Sequence, residues 1–221
     1  MKKISTLILV GVAACAISAK ATFLSGTGPG GTILDNDASG LSSTIMFNNT
    51  ISSITDVRVH LNITGGYNGD LYAYLTHDGA TAILLNRIGT TGSGTFGSSQ
   101  AGMNIFLHDG SPDVHTAGTL SPGGTYEADG RNADPSNLGA VNGAPRNGLL
   151  AGFNNSQSFG SWTLFIADVD GGGGNATLSS WDLELTGVPE PVNVALGIFG
   201  GFFVVVQGVR YWKKKKQVAA A

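Results

Sequence analysis

The chain has 221 residues, of which 34 are glycine and one is cysteine. A single cysteine excludes an internal disulfide framework and a zinc site built on cysteines. The hydrophobic fraction of 42% is enough to build a core, which disfavours wholesale disorder. Residues 21–188 hold fourteen acidic residues and four arginines, a net charge of −10, so phosphate repulsion disfavours a nucleic-acid partner.

The first 21 residues have the three parts of a secretory signal peptide. Two lysines precede an apolar run at 4–17, and Ala19 and Ala21 form a cleavage site of the A-x-A type. We therefore predict cleavage after Ala21 by a signal peptidase. A second interpretation stays open, because the residues that end at Cys15 resemble a bacterial lipobox, whose processing would leave a lipid on that cysteine.

The other end combines a short motif, an apolar run and a basic cluster. The motif is Val188-Pro189-Glu190-Pro191, and the apolar run covers 192–209. The basic cluster consists of Arg210, Lys213, Lys214, Lys215 and Lys216. About 18 helical residues extend ~27 Å, close to the thickness of the hydrocarbon core. We predict one transmembrane helix at 192–209 with the lysines in the cytoplasm. A buried core helix with a solvated basic tail is the alternative.

Residues 188–216 resemble a PEP-CTERM sorting signal, because the Pro-Glu-Pro motif, the apolar span and the basic cluster occur in that order. The cluster is rich in lysine where arginine is more usual. The resemblance implies a Gram-negative bacterium and an exosortase that cleaves the tail during export. It also implies an inner-membrane anchor before processing, and the cell surface or an exopolysaccharide matrix afterwards.

The residues between the two ends predict one all-β domain at 22–187. At 57–63 apolar and polar residues alternate, which is typical of a half-buried strand. Further strands are expected at 71–76, 81–85, 103–107, 162–167 and 181–186. Short strands joined by glycine-rich turns favour a sandwich of two sheets.

Part of this domain resembles the P domain, or Homo B domain, of subtilisin-like proprotein convertases. The resemblance rests on Gly69-Asp70-Leu71 and on the paired segments that begin at Trp162 and Trp181, and it covers about residues 40–187. It implies a jelly roll of two antiparallel sheets, which in that family stabilises and regulates the protease beside it. About 20 residues separate Ala21 from the match, too few for a catalytic domain, so we expect this domain to act alone.

We predict that the chain is not an enzyme. It has four histidines, but it has no Gly-x-Ser-x-Gly elbow to hold a nucleophile. His60 is expected on the exposed face of a strand. The other three lie beside turns rich in glycine or aspartate: His77, His108 and His115. The chemistry of His108-Asp109 and of His115 is compatible with a metal, but we expect surface loops at both.

Calcium is the one cofactor that the sequence leaves open. The turn acids Asp70, Asp78, Asp168 and Asp170 carry the hard oxygen ligands that Ca²⁺ prefers. They lack the twelve-residue loop with its terminal glutamate. The alternative is that aspartates in glycine-rich turns accept hydrogen bonds from backbone amides.

If the domain has a recognition surface, we expect it at the long loop 130–148 and at Tyr67, Tyr72 and Tyr74, because exposed aromatic rings can stack on sugars. For the tyrosines, packing under a loop is the alternative. The glycines at 171–174 precede no helix and no lysine, so they predict a hairpin loop and not a phosphate site.

Three functional hypotheses follow. The first is an exported, non-catalytic protein of the cell envelope or extracellular matrix, whose partner is an exopolysaccharide or another envelope protein. The second is an accessory module of a serine endopeptidase that acts in trans. The third is a calcium-dependent glycan-binding module.

Overall fold

The computed structural model describes residues 21–91, 96–189 and 199–211. Residues Ala21–Glu190 form one compact unit built from ten strands. The strands are β1 Thr22–Gly28, β2 Gly31–Ile33, β3 Asp37–Phe47, β4 Ile51–Tyr67, β5 Leu71–His77, β6 Ala80–Asn86, β7 Ala101–His108, β8 Gly124–Tyr126, β9 Gly160–Asp168 and β10 Ala176–Pro189.

The strands form two sheets. The larger sheet has the order β1-β10-β4-β7-β8, and β2 also pairs with β10. The smaller sheet has the order β3-β9-β5-β6. Inward side chains of both sheets form one hydrophobic core, so the sheets pack face to face as a sandwich. The predicted all-β sandwich is therefore confirmed, whereas the jelly-roll topology stays a prediction.

The core follows from alternation along each strand. In β4, Val57, Val59 and Leu61 are at most 2% exposed, and the residues between them are half-buried on the other face. In β10, Trp181 and Leu183 are fully buried in the same way. Since one face of each strand enters the core, a shift of one residue in register would expose every apolar side chain.

The last two strands complete both sheets. β9 lies between β3 and β5, and β10 lies between β1 and β4. The glycine-rich loop 171–174 therefore connects two different sheets. The hairpin predicted for this loop is wrong, because the strands on either side of it are not paired with each other. Neither sheet is complete without the C-terminal quarter of the domain.

The connection between β5 and β6 is a tight hairpin, as the turn residues predict. Asp78 and Gly79 have φ angles of 47° and 79°. Two consecutive positive φ angles define a type I′ turn, whose twist matches that of the flanking strands. The predicted strands on either side of this turn are confirmed at β5 and β6.

Two features differ from the expected pair of antiparallel sheets. β8 pairs with β7 in parallel, while the other strand pairs of the described residues are antiparallel. Strands β1, β2, β3 and β8 were not predicted. β1 starts with Thr22-Phe23-Leu24 and continues with serine, threonine and glycine, a pattern that lacks a regular apolar alternation.

Helices are few among the described residues. α1, Leu138–Gly143, lies within the long loop that the sequence indicates at 130–148. A second helix covers 199–211 and belongs to the other compact unit. Within the described part of the chain, no helix is long and apolar enough to cross a membrane. Part of the predicted span, residues 192–198, lies outside the described residues.

Replacement of Gly28 by alanine should destabilise the sandwich. A β carbon at this position would overlap the indole of Trp181, whose Nε1 donates a 2.7 Å hydrogen bond to Ser43. Overpacking of this kind costs about 1–3 kcal/mol. Urea unfolding should show that loss for Gly28→Ala, whereas Gly171→Ala, where the added carbon meets no atom within 4 Å, should stay within about 0.5 kcal/mol of wild type. Equal stability of the two variants would contradict this packing.

Candidate binding site

The outward face of the larger sheet carries a row of polar and aromatic side chains. They come from alternate positions of β4, β7 and β10, opposite the residues that enter the core. The register places Glu184 and His108 on either side of Arg58, and it places Asp182 and Phe106 on either side of His60. Three strands with distant sequence positions therefore contribute to one surface.

Both ring nitrogens of His60 contact side-chain oxygens. Its Nδ1 lies 2.8 Å from a carboxylate oxygen of Asp182, and its Nε2 lies 2.7 Å from Oδ1 of Asn104. Its ring stacks on Phe106, with 4.5 Å between the ring centroids. Both ring nitrogens are therefore engaged by side-chain oxygens of an acid and an amide, and neither is paired with a hydroxyl group.

Asp182 links β1 to this histidine. Thr27 Oγ1 donates a 2.5 Å hydrogen bond to the second carboxylate oxygen of Asp182. Partial burial raises the pKa of Asp182, but the hydrogen bonds from Thr27 and His60 outweigh it, and the net effect lowers the pKa. Asp182 is therefore a carboxylate at neutral pH.

Two further ion pairs extend the surface. Arg58 Nη1 lies 3.4 Å from Glu184, and the guanidinium carbon lies 3.9 Å from the centre of the Phe106 ring. His108 Nε2 lies 3.0 Å from Asp56. These four charged or titratable side chains are 35–47% exposed, so they can contact a ligand.

Two open depressions lie along this surface. One has a volume of about 390 Å³ and is lined by Phe23, Asp56, Arg58, His108, Thr125, Glu184 and Thr186. The other has a volume of about 510 Å³ and is lined by Ser25, Gly26, Thr27, His60, Phe106, Asp182 and Glu184. They meet at Glu184, and we call the combined surface the polar trough. The sequence pattern predicts His60 on an exposed strand face, but it does not predict the trough, because the partners of His60 come from other strands.

His115 is buried, so the surface loop predicted for it is wrong. Its side chain is 3% exposed, and Nδ1 lies 2.7 Å from Asp129, which is fully buried. Burial lowers the pKa of His115, but the hydrogen bond and the charge of Asp129 outweigh it, and the net effect raises the pKa. Thr90 Oγ1 lies 3.3 Å from Nε2, but Thr90 is only 2% exposed. A substrate cannot reach this hydroxyl.

Two arginines of the loop 130–148 form ion pairs with acids in and near this buried pair. Arg131 lies 3.1 Å from Asp129 and 2.8 Å from Asp113. Arg146 lies 2.7 Å from Glu127. The loop 130–148, where a recognition surface was expected, is therefore held by charge-assisted hydrogen bonds at both ends.

The four candidate calcium ligands do not form one site. Asp70, Asp168 and Asp170 surround Arg87, whose guanidinium lies 3.8 Å from Asp70 and 2.5 Å from Asp170. Asp78 lies at the other end of β5, in the hairpin turn. Among residues 21–91, 96–189 and 199–211, no group of three or more acidic, histidine or cysteine side chains has the arrangement of a metal site.

Two of these acids are disfavoured as carboxylates. Burial raises the pKa of Asp70 to about 6, and the charge of Asp168 adds to the effect. Burial also raises the pKa of Asp168. The Oδ2 atom of Asp168 is buried without a hydrogen-bond partner among the described residues. Asp70, the aspartate of the Gly69-Asp70-Leu71 motif, is therefore a buried side chain beside Arg87.

The three tyrosines expected at a recognition surface lie in two places. Tyr72 and Tyr74 are half-buried on the outward face of the smaller sheet, where Tyr74 stacks on Phe165 with 4.8 Å between centroids. Burial raises the pKa of Tyr72. Tyr67 packs beside Gly172 and Gly173 of the loop between the sheets. They therefore do not form one surface.

The predicted sorting motif starts inside the sheet. Val188 is exposed at the end of β10, and the register pairs Val188 with Ser53 and Pro189 with Ile51. Arg210 lies in the helix 199–211. The other residues of the predicted terminal signals lie outside the described residues: Cys15, Ala19, Glu190, Pro191, Lys213, Lys214, Lys215 and Lys216. Cleavage after Ala21 stays a prediction.

No protein-family model matches the chain, and no curated protein matches it. Solved structures that are similar include two of one protease. The serine protease of Aeromonas sobria in complex with its chaperone has 17% sequence identity and a TM-score of 0.42, and the match covers 76% of this chain and 28% of that chain. The same protease alone has 16% identity and a TM-score of 0.42, with 75% and 27% covered. The chain thus spans less than a third of the chains it matches.

The raised pKa of Asp70 predicts a pH-dependent effect of Asp70→Asn. The folded state holds the proton more tightly than the unfolded chain, whose pKa is 3.8, so ionisation destabilises the fold as the pH rises from about 4 to about 6. Removing this charge should increase the free energy of unfolding by on the order of 1–3 kcal/mol at pH 8 and by much less at pH 4.

Urea unfolding at the two pH values measures this difference. Asp78→Asn is the matched control, because Asp78 is exposed in a turn. A gain for Asp70→Asn that is the same at both pH values would contradict the buried-acid interpretation.

Proposed function

We propose that this chain is a non-catalytic binding module that recognises its partner through the polar trough. The observation that carries the proposal is the convergence of three hydrogen-bonded pairs on one half-exposed sheet face: Arg58–Glu184, His60–Asp182 and His108–Asp56. The strands beneath them are fixed by the buried core, so the surface is preorganised.

The contacts of three of the four histidines support a role in binding and not in catalysis. Both ring nitrogens of His60 are hydrogen-bonded to side-chain oxygens, and His115 is buried together with Asp129. His77 is 4% exposed and stacks on Trp162 at 4.0 Å. A general base needs hydrogen-bond reach to a substrate, which a sealed side chain does not have.

The proposed setting is the cell envelope or the extracellular matrix. The signal-peptide pattern and the resemblance of residues 188–216 to a PEP-CTERM signal support this setting. In it, a signal peptidase removes the first residues, the span at 192–209 holds the chain in the inner membrane, and an exosortase processes the tail. The binding domain then acts at the surface or in the matrix, and the jelly-roll topology is part of the same proposal.

A second candidate is an accessory module of a serine endopeptidase that acts in trans. It is supported by the resemblance to P domains, and in particular by Gly69-Asp70-Leu71. In this structure the three residues are buried at the start of β5, and Gly69 O accepts a 2.7 Å hydrogen bond from Nε of Arg87. Both candidates require a protein that binds and does not cleave.

Substitutions that remove side chains of the polar trough should release the protein from the envelope. We expect the full chain, expressed with the exosortase, to stay in the envelope and matrix fraction, and Arg58→Ala/His108→Ala to appear mainly in the medium. Arg58 and His108 are half-exposed cross-strand neighbours, so their removal should leave the fold intact. Immunoblots of the fractions measure the distribution.

Thr44→Ala/Thr163→Ala is the matched control, because this pair faces outward on the smaller sheet with its hydroxyls 3.0 Å apart. It should be retained like the wild type. Release of both variants, or of neither, would refute the role of the trough. Identical products in cells with and without the exosortase would refute the proposed sorting.

The accessory candidate predicts a stabilised protease. A subtilisin-like protease from the same genome should gain thermal stability when the full chain is added, and casein hydrolysis should measure any change in activity. An unchanged melting temperature would eliminate this candidate. Casein hydrolysis by the chain alone, blocked by a serine-reactive inhibitor, would contradict the non-catalytic proposal itself.

A further inference from the structure

We propose that the polar trough binds a neutral polysaccharide strand through its hydroxyl groups. This inference rests on the proposed function, because it names the ligand class of the same surface. The direction of the trough, its hydrogen-bonding groups, its exposed aromatic ring and its charge support this ligand class.

The trough has the length and direction of a chain-like ligand. Asp182, Glu184 and Thr186 point outward from alternate positions of β10, about 7 Å apart. The two depressions meet at Glu184, and their volumes of about 390 and 510 Å³ each fall in the range of small-molecule sites. A strand of several sugar rings therefore fits along β10 better than one compact molecule does.

The hydrogen-bonding groups alternate between donors and acceptors. Arg58 has five N–H donors, and its pairing with Glu184 uses one of them. Asp56 and Glu184 keep acceptor capacity beyond their single contacts. A hydroxyl group donates one hydrogen bond and accepts two, so it can bridge a carboxylate and the neighbouring cation. Vicinal hydroxyls of a sugar match this spacing of paired groups.

An exposed aromatic ring lies at one end. Phe23 is 57% exposed and lines the 390 Å³ depression together with Thr125 and Thr186. The C–H face of a sugar ring is apolar, so it can cover this phenylalanine while the hydroxyls at its rim reach the threonines. Phe106 lies against His60 and Arg58, so its role is to hold those side chains.

The charge of the trough selects a neutral polymer. Three carboxylates line it, Asp56, Asp182 and Glu184. The other ionisable groups of the lining are the guanidinium of Arg58 and the imidazoles of His60 and His108. An anionic polysaccharide would meet repulsion from these acids. The apolar lining is limited to Phe23 and Phe106, which gives a peptide no pocket for its own apolar side chains.

Affinity electrophoresis of the full chain in native gels tests this assignment. The gels contain one neutral polysaccharide each, glucomannan, dextran or hydroxyethyl cellulose, or anionic alginate. At least one neutral gel should retard the wild type, and alginate should not. Phe23→Ala/Glu184→Gln should lose at least about tenfold in affinity, because it removes both the aromatic face and the central acceptor.

Phe159→Ala is the matched control, since Phe159 is 53% exposed and does not line the trough. Unfolding curves confirm that each variant is folded. Retardation by no neutral polymer, stronger retardation by alginate, or equal binding by the two variants would overturn the inference. If the retention experiment then still depends on Arg58 and His108, the trough binds a different class of partner and only the ligand assignment fails.

Discussion

The pairing of β10 with β4 organises the rest of this structure. Its register places Trp181 against Leu61 and Leu183 against Val59, and all four side chains are fully buried. The same register places the polar residues between them side by side on the outer face. Core and trough are therefore two sides of one strand pair, and any slip of the register would destroy both at once.

Positive charge is scarce in residues 21–188, and every arginine there forms an ion pair with an acid of the same domain. Arg87 stands among the acids that precede β5 and follow β9, while Arg131 and Arg146 fasten the long loop. Arg58 alone lies on the trough. The net charge of −10 thus coexists with a fold in which cations neutralise specific carboxylates. Arg87 supplies the positive charge between Asp70 and Asp170.

The sequence was informative where a short-range rule applies. Strict alternation predicted β4, β5 and the last part of β10, because one face of each strand is buried. Asp78-Gly79 predicted the hairpin, because a type I′ turn needs two positive φ angles. Strand β1 was not predicted, because it is held in the sheet by its pairing with β10 and not by its own hydrophobicity. The burial of His115 could not be predicted, because its partner Asp129 lies outside the turn that contains His115.

The amino-acid sequence by itself determined the all-β character, the alternation that separates core from surface, and the acidic balance of the domain. These properties depend on neighbours within a few residues. Only the tertiary structure decided that His60 meets Asp182 and Asn104, that loop 171–174 joins two sheets, and that Asp78 is remote from Asp70. These contacts join residues far apart in the chain, and the packing of two sheets around one core selects among the possible strand orders.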